Sequence, residues 1–484
     1  SFNKKGGKTT PMSTDMITIT FPEVKVEIPL KGLTFDILEH MIFDIIQTIA
    51  RMVFTRVLAD IDDYLRKNRR KGQLENTGKR KKSLLTRFGD VSISRTRYRD
   101  KTGKARYLLD EALSTLKNQR ISLSRAMMEC FLATLSSYRE VVDQSQLMLG
   151  HTRSHESIRR NILSEAKLII EHEKNRLQQL ENLDLPAKQA AEISYTEADA
   201  TYIKLQKPEK DQKLEVKIGI GYTGKEKRYS SGPSQRLVEK FIYLGTGRDF
   251  MYHFSLKAEE ELSLSQSKRH YFGGDGDRWI TSGIRDYFPN ATYLLCRFHL
   301  NKRLRESLPG RKDEQKVIRN YLLSNRIDEA LAQIDNLLVA SSDPKQKKLL
   351  ADFYHYIAHN RQGITNQATL KDKDIAKTGA IESNVNTAIC SRFKQGKSWS
   401  KRGGLSLLKV KEMILNGQWD SWWKKERNHP LKATPGKPTL SASCFTREVY
   451  SSPVIQARIP ALAGPHQDKP WVGVLRKLSQ LELV

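Results

Sequence analysis

The chain has 484 residues, 38% of them hydrophobic and 8% aromatic, which suits roughly two to four folded domains and excludes wholesale disorder. Its 83 Lys+Arg against 55 Asp+Glu give a formal net charge of +28, which favours a polyanionic partner through counterion release. Four scattered cysteines without a CxxC pair exclude a disulfide scaffold and a zinc ribbon, and no apolar run reaches the roughly 18–20 residues of a membrane span.

Residues 1–34 read as an N-terminal extension, and SFNKKGGKTTPMS lacks the apolar core of a signal peptide. Residues 35–78 hold a long helix, capped by Thr34 and running from Phe35 to about Lys71. Its apolar stripe, Ile37 to Ile61, is broad enough to need a partner, within the chain or in a second copy. Residues 79–120 form a basic β-hairpin module. LLTRFGDVSISRTRYR over 84–99 is the hairpin, with Gly89-Asp90 at its turn. Arg95, Arg97 and Arg99 share a strand face suited to a phosphate backbone, or to a charge-protected sheet edge.

Residues 121–185 predict three helices, starting at Ser122, Tyr138 and Ser154. A short turn before a basic third helix suits a helix-turn-helix, with Arg153, His155, Glu156, Arg159 and Arg160 facing a DNA groove. Residues 186–300 change to strands at 192–206, 214–223, 236–245, 269–274 and 291–296, with a helix from Trp279 to Tyr287. That is an α/β pattern with a mixed sheet. Residues 301–375 return to helix, and helix resumes around Ile381 and from Gly404 to Asn416, within a segment 376–424. Residues 425–484 read as an extended tail in which Trp471, Val472, Val474 and Leu475 suit docking onto a surface.

Three carboxylates stand out. Asp199 lies mid-strand in SYTEADATYIKL, where an acid is costly to bury unless paired or metal-bound. Asp275 ends a strand between glycines, with Asp277 as the near alternative. Either aspartate alone equally suits a turn or a cap. With Glu382 on a downstream helix, they describe an RNase H-like nucleotidyl-transfer core in which 301–375 is an all-α insertion. Asp199, Asp275 and Glu382 would hold two Mg²⁺ ions, or Mn²⁺ in their place, about 3.5–4 Å apart.

His299, after Cys296, would orient DNA or a site carboxylate, though a packed cysteine and a capping histidine fit the spacing as well. Arg297, Lys302 and Arg303 set a basic face on the following helix. Lys394, Lys397, Lys401 and Arg402 surround Trp399, which suits phosphate contact with base stacking, or a solvated loop around a buried tryptophan.

At these residues the chain resembles the DDE transposases of bacterial insertion sequences, ISLre type (UPF0236-like), relatives of the Mutator-like group. The matching stretches are LLTRFGDVSISRTRYRD, YREVVDQ with SHESIRRNI, EADATYIKLQ, GGDGDRWI, FPNATYLLCRFHLNK and ESNVNTAICSRFKQGKSWSKRGG, in family order. The resemblance implies an RNase H-like catalytic core with an all-α insertion, and cut-and-paste or copy-out transposition. It places the family's acids on Asp199, Asp275 and Glu382, and its C-x-x-H on Cys296 and His299; Ala200 stands where the family has glycine.

The expectation is a DNA transposase that cleaves at terminal inverted repeats and transfers strands into target DNA. It would work as a homodimer or higher homo-oligomer on double-stranded DNA, without a membrane, in the bacterial cytoplasm near the nucleoid. The rival expectations are a non-catalytic DNA-binding regulator and a structure-selective nuclease of the same fold.

Overall fold

The computed structural model describes residues 26, 28–29, 31–69, 72–113, 120–182, 191–206, 212–229, 235–369 and 378–427, with 425–427 as backbone alone. All belong to one compact unit, Ser1–Arg427. The tail expected over 425–484 lies outside the described residues from 428 onward.

Helix α1 (Phe35–Asn68) starts where the Thr34 hydroxyl accepts the Ile37 N–H. Strands β1 (Leu74–Thr86) and β2 (Gly89–Asp100) pair antiparallel, with a short β3 (Ala105–Arg106) and helix α2 (Leu108–Ala112) after them. The turn is Arg87-Phe88 rather than Gly89-Asp90: Thr86 pairs with Gly89, and the Thr86 hydroxyl accepts the Phe88 N–H. Gly89 is needed because it enters β2 at φ +106° with Arg51 packed against it. Leu58, Leu84, Val91, Ile93 and Leu109 form the small core beneath α1. Buried Asp62 on α1 accepts the N–H and hydroxyl of Thr96, which locks helix to hairpin. The arginine face also differs from expectation. Arg95 is buried, paired with Asp110 and stacked 3.9 Å over Tyr107, so it is a core ion pair and not a phosphate contact.

Three helices follow as predicted: α3 (Leu123–Leu135), α4 (Tyr138–Leu149) and α5 (His155–Glu181), capped by Ser122, Ser137 and Ser154. They do not stand apart from the sheet. Ala126, Ile158 and Ile162 share one core with the strand residues Ile203, Val216 and Ile218.

The main sheet holds β4 (Ile193–Lys204), β5 (Lys213–Tyr222), β8 (Phe241–Gly245), β9 (Arg269–Gly274) and β10 (Ala291–Leu295), in the order β10-β9-β4-β5-β8. Only β5 runs against the rest: β4 pairs antiparallel with β5 and parallel with β9, which pairs parallel with β10. The strand expected over 236–245 is two strands. Glu239 takes φ 50° and turns the chain between β7 (Gln235–Val238), which pairs with β6 (Gly224–Lys227), and β8. Helix α6 (Phe250–Leu262), which sequence reading missed, packs Phe250 and Phe254 with α7 (Arg278–Tyr287) onto the sheet face carrying Ala198 and Phe272.

Helices α8 (Arg297–Ser307), α9 (Lys312–Leu323), α10 (Ile327–Ala340), α11 (Pro344–His359) and α12 (Arg361–Thr369) build a separate all-α core on Leu304, Ile318, Ile334 and Ile357. Within the helical stretch expected over 301–375, α9 and α10 are parted at Asn325, which takes φ 56°. The chain returns as α13 (Ile381–Val385), a π-helical stretch (Asn386–Cys390) and α14 (Ser391–Phe393). Helix α15 (Lys401–Leu415) then packs on α5, and α16 (Trp419–Ser421) leads into a second π-helical stretch, Trp422–Arg427.

Candidate functional site

Sheet topology brings two aspartates together. Strands β4 and β9 are parallel neighbours with Ala198 opposite Gly274, so Asp199 and Asp275 are the next residues along adjacent strands. Asp199 is buried, and one carboxylate oxygen accepts the Ala200 N–H at 2.7 Å. One Asp275 oxygen accepts the Asp277 N–H at 2.9 Å, which curls the chain through Gly276. The insertion grips this turn: Tyr356 donates to the Asp275 carbonyl at 2.7 Å, and Asn360 lies so close to Gly276 that a Cβ there would stand 2.5 Å from its amide nitrogen. Asp277, the alternative acid, instead meets Arg303 at 3.3 Å.

Glu382 arrives from far along the chain. Its helix is fastened by Glu197, two residues before Asp199 on β4. The Glu197 carboxylate is 1% exposed and accepts four donors: the N–H groups of Gly379, Ala380 and Ile381 at 3.0–3.2 Å, and the Tyr222 hydroxyl at 2.5 Å. An anion at the unsatisfied N–H groups of a helix start is favourable through hydrogen bonding and the helix dipole. Sequence reading assigned Glu197 no role, since nothing local shows that three of its donors lie 182–184 residues away.

The result is a tight set. Asp199, His299 and Glu382 each present one ligand atom, all within 4.8 Å of one another. This differs from the expected Asp199, Asp275 and Glu382, because α8 turns His299 inward, with its Nε2 2.9 Å from a Glu382 oxygen. Asp275 adjoins this set through its strand register. Its charge, with that of Glu382, bears on Asp199. Burial pushes Asp199 up to about 7, with repulsion from Asp275 and Glu382 added. Burial likewise pushes Asp275 up to about 6. His299 is shifted down, by burial first and then by Lys302 and Arg303, against the pull of Glu382. Its Nδ1 is buried with no hydrogen-bond partner among the described residues.

These features fit a divalent cation: hard carboxylate oxygens, an imidazole with a spare nitrogen, and acids that resist ionising unless a cation neutralises them. A linked stability effect follows. Because the folded-state values of Asp199 and Asp275 are raised, their contribution to stability is full below about pH 4 and is lost as pH rises through about 6–7. A cation bound by these acids would reverse this loss. At about pH 8, millimolar Mn²⁺ is expected to raise the melting temperature by roughly 3 °C or more, with little effect near pH 5. Equal shifts at both pH values in scanning fluorimetry would count against cation binding by these acids.

The expected DNA-contacting residues divide into three groups. Arg297 and Lys302 are exposed on α8 beside His299, while Arg303 covers the Tyr356 ring at 4.4 Å and meets Asp277. Lys394 donates to the Thr201 hydroxyl at 2.6 Å, two residues from Asp199; Lys397 after it is half-buried and Lys401 exposed. On α5, His155 is exposed, while Arg159 and Arg160 both bind Glu156. Arg153 is drawn inward to the buried acid Glu129.

Trp399 requires correction. It is 7% exposed, donates to the Phe393 carbonyl at 2.9 Å, and packs on Tyr138, Phe393 and the buried Arg392 guanidinium. It is a core residue, closed off from a DNA base. Trp399→Ala is expected to cost about 3–5 kcal/mol in a urea melt; unchanged stability with weaker DNA binding would instead restore the stacking role.

The model of a family described as “Uncharacterised protein family (UPF0236)” matches residues 29–427. The chain belongs to this family. Its UPF0236 relatives include two proteins of Caldanaerobacter subterraneus subsp. tengcongensis. One is 22% identical over 404 residues, 82% of each chain. The other is 22% identical over 405 residues, again 82% of each, and its name spans eleven loci of that genome. A third, “UPF0236 protein in vanSb 3'region” of Streptococcus gallolyticus, is 25% identical over 351 residues, 70% of this chain and 73% of the relative. UPF0236 thus occurs as many paralogues in one genome. Among the described residues no helix is long and apolar enough to cross a membrane.

Proposed function

We propose that this UPF0236 protein is a DDE-type DNA transposase that cuts at the ends of a mobile element and joins them to target DNA. The observation that carries the proposal is the convergence of Asp199, Asp275, His299 and Glu382 from four separate elements, with Glu197 holding the last in place. The strand order, with only β5 reversed, supports an RNase H-like core of the type related to Mutator-like enzymes. The three helices ending in α5 support a helix-turn-helix reading for the element's terminal repeats. Multiple loci per genome, as in the relative's name, suit a mobile element.

Asp199 and Glu382, with His299 and Asp275 alongside, would hold Mg²⁺ or Mn²⁺, which supplies activation of an attacking oxygen and stabilisation of a leaving one. The protein's own groups do the rest. His299 orients Glu382. Tyr356 and Asn360 fix the Asp275 turn. Arg297, Lys302 and Lys394 stand where backbone phosphates would pass the acids. The reading places the protein with DNA in the bacterial cytoplasm, acting as a dimer or higher assembly because two ends must be brought together.

The test is cleavage of labelled duplexes, with and without a candidate terminal repeat, in Mg²⁺ or Mn²⁺. Metal-dependent nicking at the repeat boundary is the expected result. Cutting indifferent to the repeat would favour a structure-selective nuclease, and tight binding without cutting would favour a regulator.

A further inference from the structure

The chain enters α13 through a glycine. Gly379 takes φ 88°, a left-handed conformation that costs glycine little and leaves the peptide before it easy to rotate. Glu382 follows three residues later. That peptide is held at both ends. Its N–H, on Gly379, donates to the Glu197 carboxylate at 3.0 Å. Its carbonyl, on Thr378, accepts from the Lys225 ammonium at 3.1 Å. A positive side chain thus meets the negative end of the peptide dipole, and a negative side chain meets the positive end. Turning the peptide over would reverse both contacts at once, setting carbonyl against carboxylate and N–H against ammonium.

The two side chains also support each other. Lys225 is half-buried, and burial holds its ammonium below the usual lysine value, with the charge of Glu197 acting the other way. Buried Glu197 gains a counter-charge in return. Tyr222, which also donates to Glu197, lies three residues before Lys225, so one run of chain leaving β5 supplies both groups.

The β6–β7 ribbon carries Lys225 to this place, with Leu237 as its strand partner. Past the ribbon the chain makes a second contact. Lys240, also half-buried, donates to Asn384 Oδ1 at 3.3 Å, and the Asn384 amide donates to the Ala380 carbonyl at 2.8 Å. The two legs of the ribbon therefore meet the segment around Glu382 once before that residue and once after it.

We propose that Lys225 is a positioning residue for Glu382: with Glu197 it clamps the Thr378–Gly379 peptide, and Lys240 steadies the residues beyond Glu382 through Asn384. The consequence for the metal site rests on the function proposed above. The clamp itself does not, and it is read without metal.

The experiment compares the full-length wild type with Lys225→Met and Lys225→Arg. Hydrogen exchange is measured without metal, and Mn²⁺ binding is then read from the electron paramagnetic resonance signal of the free ion. Methionine keeps an apolar stem and removes the charge and the donors. In Lys225→Met the amides of 379–385 should exchange at least about tenfold faster, while those of α5 and α10 keep their protection. Mn²⁺ should bind about tenfold more weakly. Lys225→Arg keeps a cationic donor and should stay within about threefold of the wild type in both measurements. A merely structural lysine would not give the next result. With Glu382→Ala already present, adding Lys225→Met should change Mn²⁺ affinity by less than about twofold, because the lysine acts through the glutamate. Unchanged exchange at 379–385, loss of protection across the whole chain, or a Lys225→Met effect that persists in full without Glu382 would each overturn the proposal. A wild type that binds no Mn²⁺, with exchange at 379–385 still faster in Lys225→Met, would sink the metal-site reading and leave the clamp standing.

Discussion

Asp199→Ala is expected to lower metal-dependent cleavage at least about a thousandfold while leaving duplex affinity within about twofold. Asp199 is buried mid-sheet, belongs to the Asp199–His299–Glu382 set, and is the residue on which the charges of Asp275 and Glu382 converge. No described side chain can take its place from the same strand, because Thr201 is engaged by Lys394 and Glu197 by the amides at 379–381. The variant should fold at least as well as the wild type without metal, since it removes a carboxylate that burial and its neighbours penalise. Single-turnover cleavage measured beside filter binding decides the matter. A variant that cuts at more than a tenth of the wild-type rate would remove Asp199 from the site.

Glu197→Gln should have the second-largest effect, through position rather than contact. The carboxylate answers three backbone N–H groups and one phenol at once, and an amide can answer them only by turning an N–H toward another N–H. The loss of stability should be about 3 kcal/mol, with cleavage falling about 100-fold because Glu382 is no longer held against His299. Hydrogen exchange separates this from general damage. Amides 379–393 should exchange faster, while those of α1 and of the helices between β10 and α13 keep their protection. Uniform loss of protection would mean that Glu197 only stabilises the fold.

Much of this arrangement was legible from the chain. Ser122 and Ser154 announced their helices because a capping hydroxyl is a local signal. Asp199 and Asp275 stood out because an acid in an apolar strand, or between glycines at a strand end, is unusual on local grounds alone. Glu382 was reached through the order of motifs, since several acids sit on nearby helices.

Three of the differences share a cause. Glu197, Trp399 and Arg95 are ordinary polar or aromatic residues in basic or polar surroundings, and their partners come from distant segments: the amides at 379–381, Tyr138, and Asp110 with Tyr107. The turn at Arg87-Phe88 was misplaced by two residues because Gly89 supplies positive φ to the strand that follows, not to the loop itself. Helix α6 was missed because its apolar start, Phe250 to Phe254, masks the helical period.

The bond from the Ala380 N–H to Glu197 spans 183 residues, and the two all-α and α/β cores lie between its ends. A chain emerging from the ribosome therefore exposes Asp199 long before Glu382 exists to join it. Throughout synthesis of the insertion the nascent protein carries at most a partial set of acids. On the proposed function, premature termination between β4 and α13 should leave a chain without Glu382, and so without a complete set of acids.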